Sequence, residues 1–104
     1  MRKLLWTVAF VSISFAAYAA DTTVTQSHTS FDTDAATIKV GDVIVFSNKD
    51  DVTHNIQVTD SDGNNTDEGL QKPGQEIKYA FAKAGEYKVH CAIHPKMKMT
   101  VTVQ

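Results

Sequence analysis

The chain has 104 residues and carries 10 basic and 12 acidic side chains, for a formal net charge of −2. That length holds one small domain, and the acidic balance argues against a nucleic-acid partner, because phosphate binding needs a basic surface. Cys91 is the only cysteine, so an internal disulfide is excluded. A single cysteine in an exported protein indicates either an intermolecular bridge or a ligand role.

The N-terminus has the features of a secretory signal peptide. Arg2 and Lys3 form a basic region, a mostly apolar run follows to Ala16, and Ala17-Tyr18-Ala19 supplies small residues around a cleavage point. We expect residues 1–19 to be removed, which leaves residues 20–104 as a single periplasmic domain. An uncleaved membrane anchor is the alternative, although the apolar run is short for a membrane span.

The rest of the chain reads as an all-β protein. Turn signals such as Gly41-Asp42 and Lys72-Pro73-Gly74 separate short runs of β-branched and aromatic residues. The run 43–46 is continuously apolar, which is typical of a strand buried on both faces. These features predict a β-sandwich or barrel of about seven to eight strands. The main predicted strands cover residues 21–29, 37–40, 43–46, 54–59, 75–82, 86–90 and 100–104.

Residues 60–69 are rich in Asp, Asn, Ser and Gly, and four of them are acidic. The start of this segment is similar to a calcium-binding loop. Its sixth position, however, is Asn65 where glycine is required, and its twelfth is Gln71 where glutamate is required. We therefore predict a solvated loop rather than a calcium site.

Strand alternation and residue spacing identify four side chains that could bind copper. His54 and Cys91 each share the inward face of a predicted strand with apolar neighbours, and His94 and Met97 follow Cys91 at intervals of three residues. Two histidines, a thiolate and a weak thioether form a blue-copper electron-transfer site. Any one of these residues alone is more simply a core or surface residue. Their coincidence predicts one copper ion held by His54, Cys91, His94 and Met97.

The motifs together resemble the cupredoxins, the small blue copper proteins, and among them most closely the amicyanins. The resemblance spans essentially all of residues 20–104 and implies a Greek-key β-sandwich with a one-electron copper centre. It also implies that Asn55 ties the loop of His54 to the loop of Cys91, the alternative being a polar residue on an outward strand face. The motifs are Val40-Gly41-Asp42, His54-Asn55, Lys72-Pro73-Gly74-Gln75, Ala84-Gly85-Glu86-Tyr87 and His90-Cys91.

Two methionines compete for the axial position of such a site. The short Cys-x2-His-x2-Met spacing of the amicyanins selects Met97, whereas the longer loop of plastocyanins and pseudoazurins selects Met99. In amicyanins and plastocyanins the axial methionine stands four residues before the first valine of the last strand, which here is Val101, although pseudoazurins do not follow this spacing. Met99 shares the parity of Val101, which favours a core role. We therefore favour Met97.

Ile93 occupies the position where these relatives usually carry proline, and Pro95 follows the histidine instead. Proline has no backbone N–H. We therefore hypothesise that the Ile93 N–H donates a hydrogen bond to the Cys91 thiolate and raises the reduction potential.

The predicted function is that of a mobile monomeric carrier that exchanges electrons with transient redox partner proteins. We expect no enzymatic step and no stable membrane association. Electrons would enter and leave the copper ion through the exposed edge of His94. Lys96 and Lys98 make the charge beside that edge positive. A copper-tolerance or copper-delivery protein is the main alternative. A copper enzyme would need a second metal site, and the chain has few spare ligands for one. His28 and His90 are most simply surface residues. A second copper site that uses His28 is a less favoured alternative.

Overall fold

The computed structural model describes residues 19–104, and the predicted signal peptide lies almost entirely outside them. This part of the chain forms nine β-strands, and it contains no helix long and apolar enough to cross a membrane. The strands are β1 (Asp21–Ser27), β2 (Ser30–Phe31), β3 (Ala35–Ile38), β4 (Val43–Asn48), β5 (His54–Thr59), β6 (Asn65–Gln71), β7 (Glu76–Ala80), β8 (Gly85–His90) and β9 (Lys98–Val103).

The strands form two sheets that pack face to face. One has the order β2-β1-β4-β7 and the other has the order β3-β9-β8-β5-β6. Two pairs are parallel, β1 with β4 and β3 with β9, and the remaining pairs are antiparallel. This arrangement confirms the predicted all-β sandwich. The strand count exceeds the predicted seven to eight, because β2 has only two residues and β6 was predicted to be a loop.

The core lies between the sheets. Phe46, Phe81, Ile44 and Ile56 are fully buried there, and Phe31 packs on Phe46 with ring centroids 6.1 Å apart. Burial of each such side chain contributes about 1.5–3 kcal/mol. β4 is buried over five of its six residues, as its continuous apolar run predicts.

The prediction that residues 60–69 form a solvated loop is wrong for most of that segment. Only its first part is a turn, in which the Asp60 carboxylate accepts hydrogen bonds from the backbone N–H groups of Asp62 and Asn64, both at 2.9 Å. The remainder belongs to β6, an edge strand that pairs with β5. Because β6 is largely exposed, its composition is polar, and backbone hydrogen bonds rather than side-chain burial hold it in place.

Candidate metal centre

The structure brings His54, Cys91 and His94 together at one end of the sandwich. His54 is the first residue of β5 and Cys91 directly follows β8, and these two strands are neighbours in the five-stranded sheet. One ligand atom from each of the three residues lies within 4.8 Å of the others. The Nδ1 atoms of His54 and His94 are 3.2 Å apart, and the Cys91 Sγ is 3.7 Å from His94 Nδ1. His54 and Cys91 are fully buried, whereas His94 is partly exposed.

The loop from Cys91 to Met97 is closed by two backbone hydrogen bonds. Cys91 N–H donates to the Met97 carbonyl at 3.1 Å, and Met97 N–H donates to the His94 carbonyl at 2.8 Å. Met97 is 1% exposed and packs in the same core cluster as Cys91. Met99 is also buried, but it lies within β9 opposite Val89, which agrees with the core role predicted for it.

Asp50 orients the ring of His54. Its Oδ2 atom lies 3.1 Å from His54 Nε2 and also accepts a hydrogen bond from the Thr29 N–H at 2.7 Å. A histidine that donates its Nε2 proton to a carboxylate keeps a lone pair on Nδ1, the atom that faces Cys91 and His94. The Thr29 N–H, with smaller contributions from His54 and Asp51, lowers the pKa of Asp50 to about 2 despite opposing desolvation. Sequence reasoning missed Asp50, although an acidic residue four positions before a histidine ligand is a usable signal.

The loop that leads to His54 is shaped by the buried side chain of Asn48. Its Nδ2 donates to the carbonyls of Val52 and Gln71, at 2.9 and 3.0 Å, and its Oδ1 accepts from the Asp50 N–H at 2.9 Å. The Asp50 carboxylate is thereby held within hydrogen-bond distance of His54 Nε2. Asn48 was also missed by sequence reasoning, because the segment 47–53 reads only as a polar loop.

Asn55 ties the two ligand-bearing loops together, as predicted. Its Oδ1 accepts from the Ala92 N–H at 3.2 Å, and its Nδ2 donates to the Gly69 carbonyl and to Asp67 Oδ1, both at 2.9 Å. Its own backbone N–H donates to Cys91 Sγ at 3.3 Å. Asn55 is only 4% exposed, because β6 covers it, so the alternative of an ordinary outward polar residue is wrong.

The hydrogen bond hypothesised from Ile93 to the thiolate is not found. Within residues 19–104, the backbone N–H that reaches Cys91 Sγ belongs to Asn55. Ile93 is 48% exposed and faces away from the interior. The absence of proline before His94 therefore gives the sulfur no additional donor in this structure.

The donor set fits a copper ion. Two imidazole nitrogens and a thiol sulfur point at one buried position, and a methionine lies in the same loop. Nitrogen and sulfur donors of this kind suit copper, whereas calcium and magnesium require oxygen ligands. The close approach of the two Nδ1 atoms also places two potential lone pairs side by side, an arrangement that a cation between them would stabilise.

The sequence profile of the family described as copper binding proteins, plastocyanin/azurin family, matches residues 18–104. The chain belongs to this family. Copper is its cofactor, and members of this family are the cupredoxins, whose copper centres serve electron transfer. The family assignment predicted from the sequence motifs is thereby confirmed.

This cupredoxin is similar to known proteins over most of its length. It is 33% identical to the methylamine utilization protein MauL of Methylorubrum extorquens over 105 residues, covering 99% of this chain and 92% of that protein. It is 32% identical to amicyanin from Paracoccus denitrificans over 76 residues, covering 71% of this chain and 58% of amicyanin.

Solved structures confirm the fold. A reduced Cu(I) form of an amicyanin variant superposes with a TM-score of 0.73 at 26% identity, covering 88% of this chain and 87% of that one. A purple cupredoxin from Nitrosopumilus maritimus superposes with a TM-score of 0.69 at 25% identity, covering 79% of this chain and 98% of that one. These two superpositions show that this chain has an amicyanin-like cupredoxin fold.

Exposed hydrophobic side chains are concentrated near the ligand end of this cupredoxin. Three of the four large hydrophobic side chains that are exposed in residues 19–104 lie there: Val52 just before His54, Leu70 opposite Asn55, and Ile93 beside His94. The two other histidines lie apart from the centre. His28 is exposed in the turn between β1 and β2, and His90 lies half-buried at the end of β8.

Proposed function

We propose that this cupredoxin is a periplasmic carrier of single electrons whose copper ion is held by His54, Cys91, His94 and, in the axial position, Met97. The observation that carries the proposal is the convergence, within 4.8 Å, of the buried His54 imidazole, the buried Cys91 thiol and the partly exposed His94 imidazole. A copper ion in such a site supplies a one-electron couple between Cu(I) and Cu(II).

The protein's part in electron transfer is to hold the ligands still. Asp50 fixes the ring of His54, and Asn55 fixes Cys91 through its own N–H and through the Ala92 N–H. These hydrogen bonds are formed between protein groups, so the fold itself holds the donor atoms in place. A site that stays rigid on gaining or losing an electron has a small reorganisation cost.

His94 supplies the route for electrons. It is the partly exposed member of the three, and the exposed residues Ala92, Ile93 and Pro95 surround it. A small apolar patch of this kind suits partners that bind weakly and leave quickly. We propose that this chain works as a monomer that meets its redox partner proteins in turn and performs no enzymatic step of its own.

The N-terminal sequence supports export to the periplasm. Residues 1–19 combine a basic start, an apolar run and small residues at the cleavage point. Similarity to a methylamine utilization protein and to amicyanin makes a methylamine-oxidising electron chain the first setting in which to seek partners.

Loading the purified protein with Cu(II) tests the proposal. We expect an intense visible charge-transfer band, lost in Cys91→Ser, and a reversible one-electron couple. A protein that stays colourless would refute the copper–thiolate site. A coloured protein that yields its copper rapidly to a weak chelator would instead favour copper delivery.

The axial ligand is tested by two matched variants. Met97→Leu is expected to change the visible spectrum and the reduction potential, whereas Met99→Leu is expected to leave both nearly unchanged, since an axial ligand tunes the potential of such sites. The reverse result would assign the axial position to Met99.

A further inference from the structure

Charge is unevenly distributed across the outer face of the five-stranded sheet. Directly paired residues of antiparallel strands point to the same face. The register therefore aligns one row of side chains across four strands: Lys98 of β9 opposite His90 of β8, His90 opposite Gln57 of β5, and Gln57 opposite Asp67 of β6. The row begins with a cation and ends with an anion.

The cationic end of this row opens into a groove of about 940 Å³ beside the ligand loop. Lys88, Lys96 and Lys98 line it, and all three are exposed. Asp34 is the acidic residue in its lining, and Lys88 also pairs with Glu86 at 2.9 Å. The surface near the groove therefore keeps an excess of positive charge, and we refer to it as the basic groove.

The basic groove is continuous with the metal centre. Cys91, Ala92 and Pro95 of the ligand loop are among the residues that line it. A partner seated there would rest against the loop that carries three of the four proposed copper ligands, Cys91, His94 and Met97.

The opposite half of the sheet is acidic. The β5–β6 hairpin, residues 54–71, contains no lysine or arginine and carries Asp60, Asp62, Asp67 and Glu68. Three strand spacings of about 4.8 Å separate the two ends of the row, so the charges lie roughly 14 Å apart. That exceeds the screening length of about 8 Å at physiological ionic strength. An approaching protein therefore meets two distinct patches rather than one averaged charge.

We propose that the basic groove is the docking site for an acidic face of a protein redox partner, and that the acidic β5–β6 hairpin repels that face and fixes its orientation. This inference rests on the proposed function and specifies the partner's chemistry. Charge complementarity supplies encounter rate and orientation, and the exposed Ala92 and Pro95 supply a small apolar contact.

Reduction of the Cu(II) protein by hexacyanoferrate(II), a small anionic electron donor, tests the sign of the local charge. Residues 19–104 carry 8 basic and 12 acidic side chains, a net charge of −4. If net charge governs the encounter, the rate constant rises with ionic strength. If the basic groove governs it, the rate constant falls. We expect the fall, and a rise would overturn the proposal.

Charge-reversal variants test which lysines control the rate of reduction. Lys96→Glu combined with Lys98→Glu is expected to lower the rate constant for hexacyanoferrate(II) by about fivefold or more at low salt, since local fields change association rates by 10-fold or more. Lys78→Glu combined with Lys83→Glu is the matched control, because it makes the same change in net charge at two exposed lysines, one in β7 and one just before β8, that lie outside the ligand loop and the basic groove. Equal effects at both places would overturn the proposal.

A copper-free experiment separates this inference from the proposed function. Titration of the metal-free protein with a glutamate-rich peptide, followed by NMR, is expected to shift backbone signals at Lys88, Lys96 and Lys98 and to leave those of the β5–β6 hairpin unchanged. Shifts confined to other lysines, or no binding at low salt, would refute the docking site. A failure to load copper would refute the proposed function, while the peptide shifts would still decide whether the groove binds acidic surfaces.

Discussion

The two ends of this sandwich are stabilised by different chemistry. At the ligand end several buried side chains are polar: Asn48 and Asn55 each donate two side-chain hydrogen bonds, and His54 bonds to Asp50. At the opposite end the rings of Tyr79 and Tyr87 pack against the buried Phe81, with centroids 4.7 and 5.0 Å from it. Apolar burial there stabilises the fold but is not directional. The hydrogen bonds at the ligand end are directional, and they set the positions of the atoms that would bind copper. Stability and site geometry should therefore be separable by mutation.

The largest expected effect comes from the aromatic end. Phe81→Ala removes a fully buried ring and should lower the free energy of unfolding by about 3–5 kcal/mol. Denaturant titration of the copper-loaded protein measures this loss. The visible spectrum of the folded variant should be unchanged, with Phe81→Leu as the milder control. A shifted spectrum would show that the two ends are coupled.

A smaller loss of stability, accompanied by a change at the site, is expected from Asn55→Ala. The change leaves the Ala92 N–H and the Gly69 carbonyl without their side-chain partner, which should cost about 1–3 kcal/mol in total because both groups are only partly buried. It should also speed the loss of copper to a chelator, because the loop after Cys91 loses its side-chain hydrogen bond to the strand that begins at His54. Gln57→Ala, two positions further along β5 and more exposed, is the control and should stay within about 0.5 kcal/mol of the parent. An unaltered copper-release rate in Asn55→Ala would contradict the role assigned to this residue.

A substitution at Gln26 is expected to increase the stability of the fold. Its side chain is fully buried, and neither its Nε2 nor its Oε1 has a hydrogen-bond partner among the described residues. Replacement of an unpaired buried amide by an apolar group of similar shape is neutral or stabilising. We expect Gln26→Met to raise the free energy of unfolding by about 1 kcal/mol, measured on the metal-free protein. A marked destabilisation would show that the amide is satisfied in solution by bound water.

The smallest expected effect is the acid sensitivity of Asp50. Its pKa falls from 3.8 to about 2 on folding, so the carboxylate stabilises the folded state fully above pH 3.8 and loses that contribution as the pH falls towards 2. Unfolding of the metal-free protein between pH 4 and pH 2 should therefore depend less steeply on pH in Asp50→Asn. Asp51→Asn, which removes the neighbouring exposed carboxylate, is the control. Identical pH profiles for Asp50→Asn and the parent would mean that the bond to Thr29 does not hold in solution.

Much of the site could be predicted from the sequence because its signals are local. Cys91, His94 and Met97 lie within seven residues, and strand alternation sets the direction of His54 and Cys91. Asn55 was predicted through the cupredoxin resemblance, and the structure gives it the expected contact with Ala92. By contrast, β6 was missed because an edge strand need not be apolar, so alternation of hydrophobic residues does not reveal it.

The sequence by itself determined the sandwich class and the ligand types, because burial in a sheet imposes a two-residue period and copper selects nitrogen and sulfur donors. The tertiary structure decided how those ligands are oriented. Asp50 reaches both Thr29 and His54, and the Cys91 sulfur takes its backbone hydrogen bond from Asn55 rather than from Ile93. Thr29 and His54 are 25 positions apart, and Asn55 and Cys91 are 36 apart. Only the packing of strands brings such groups within hydrogen-bond distance, so no local pattern in the chain encodes them.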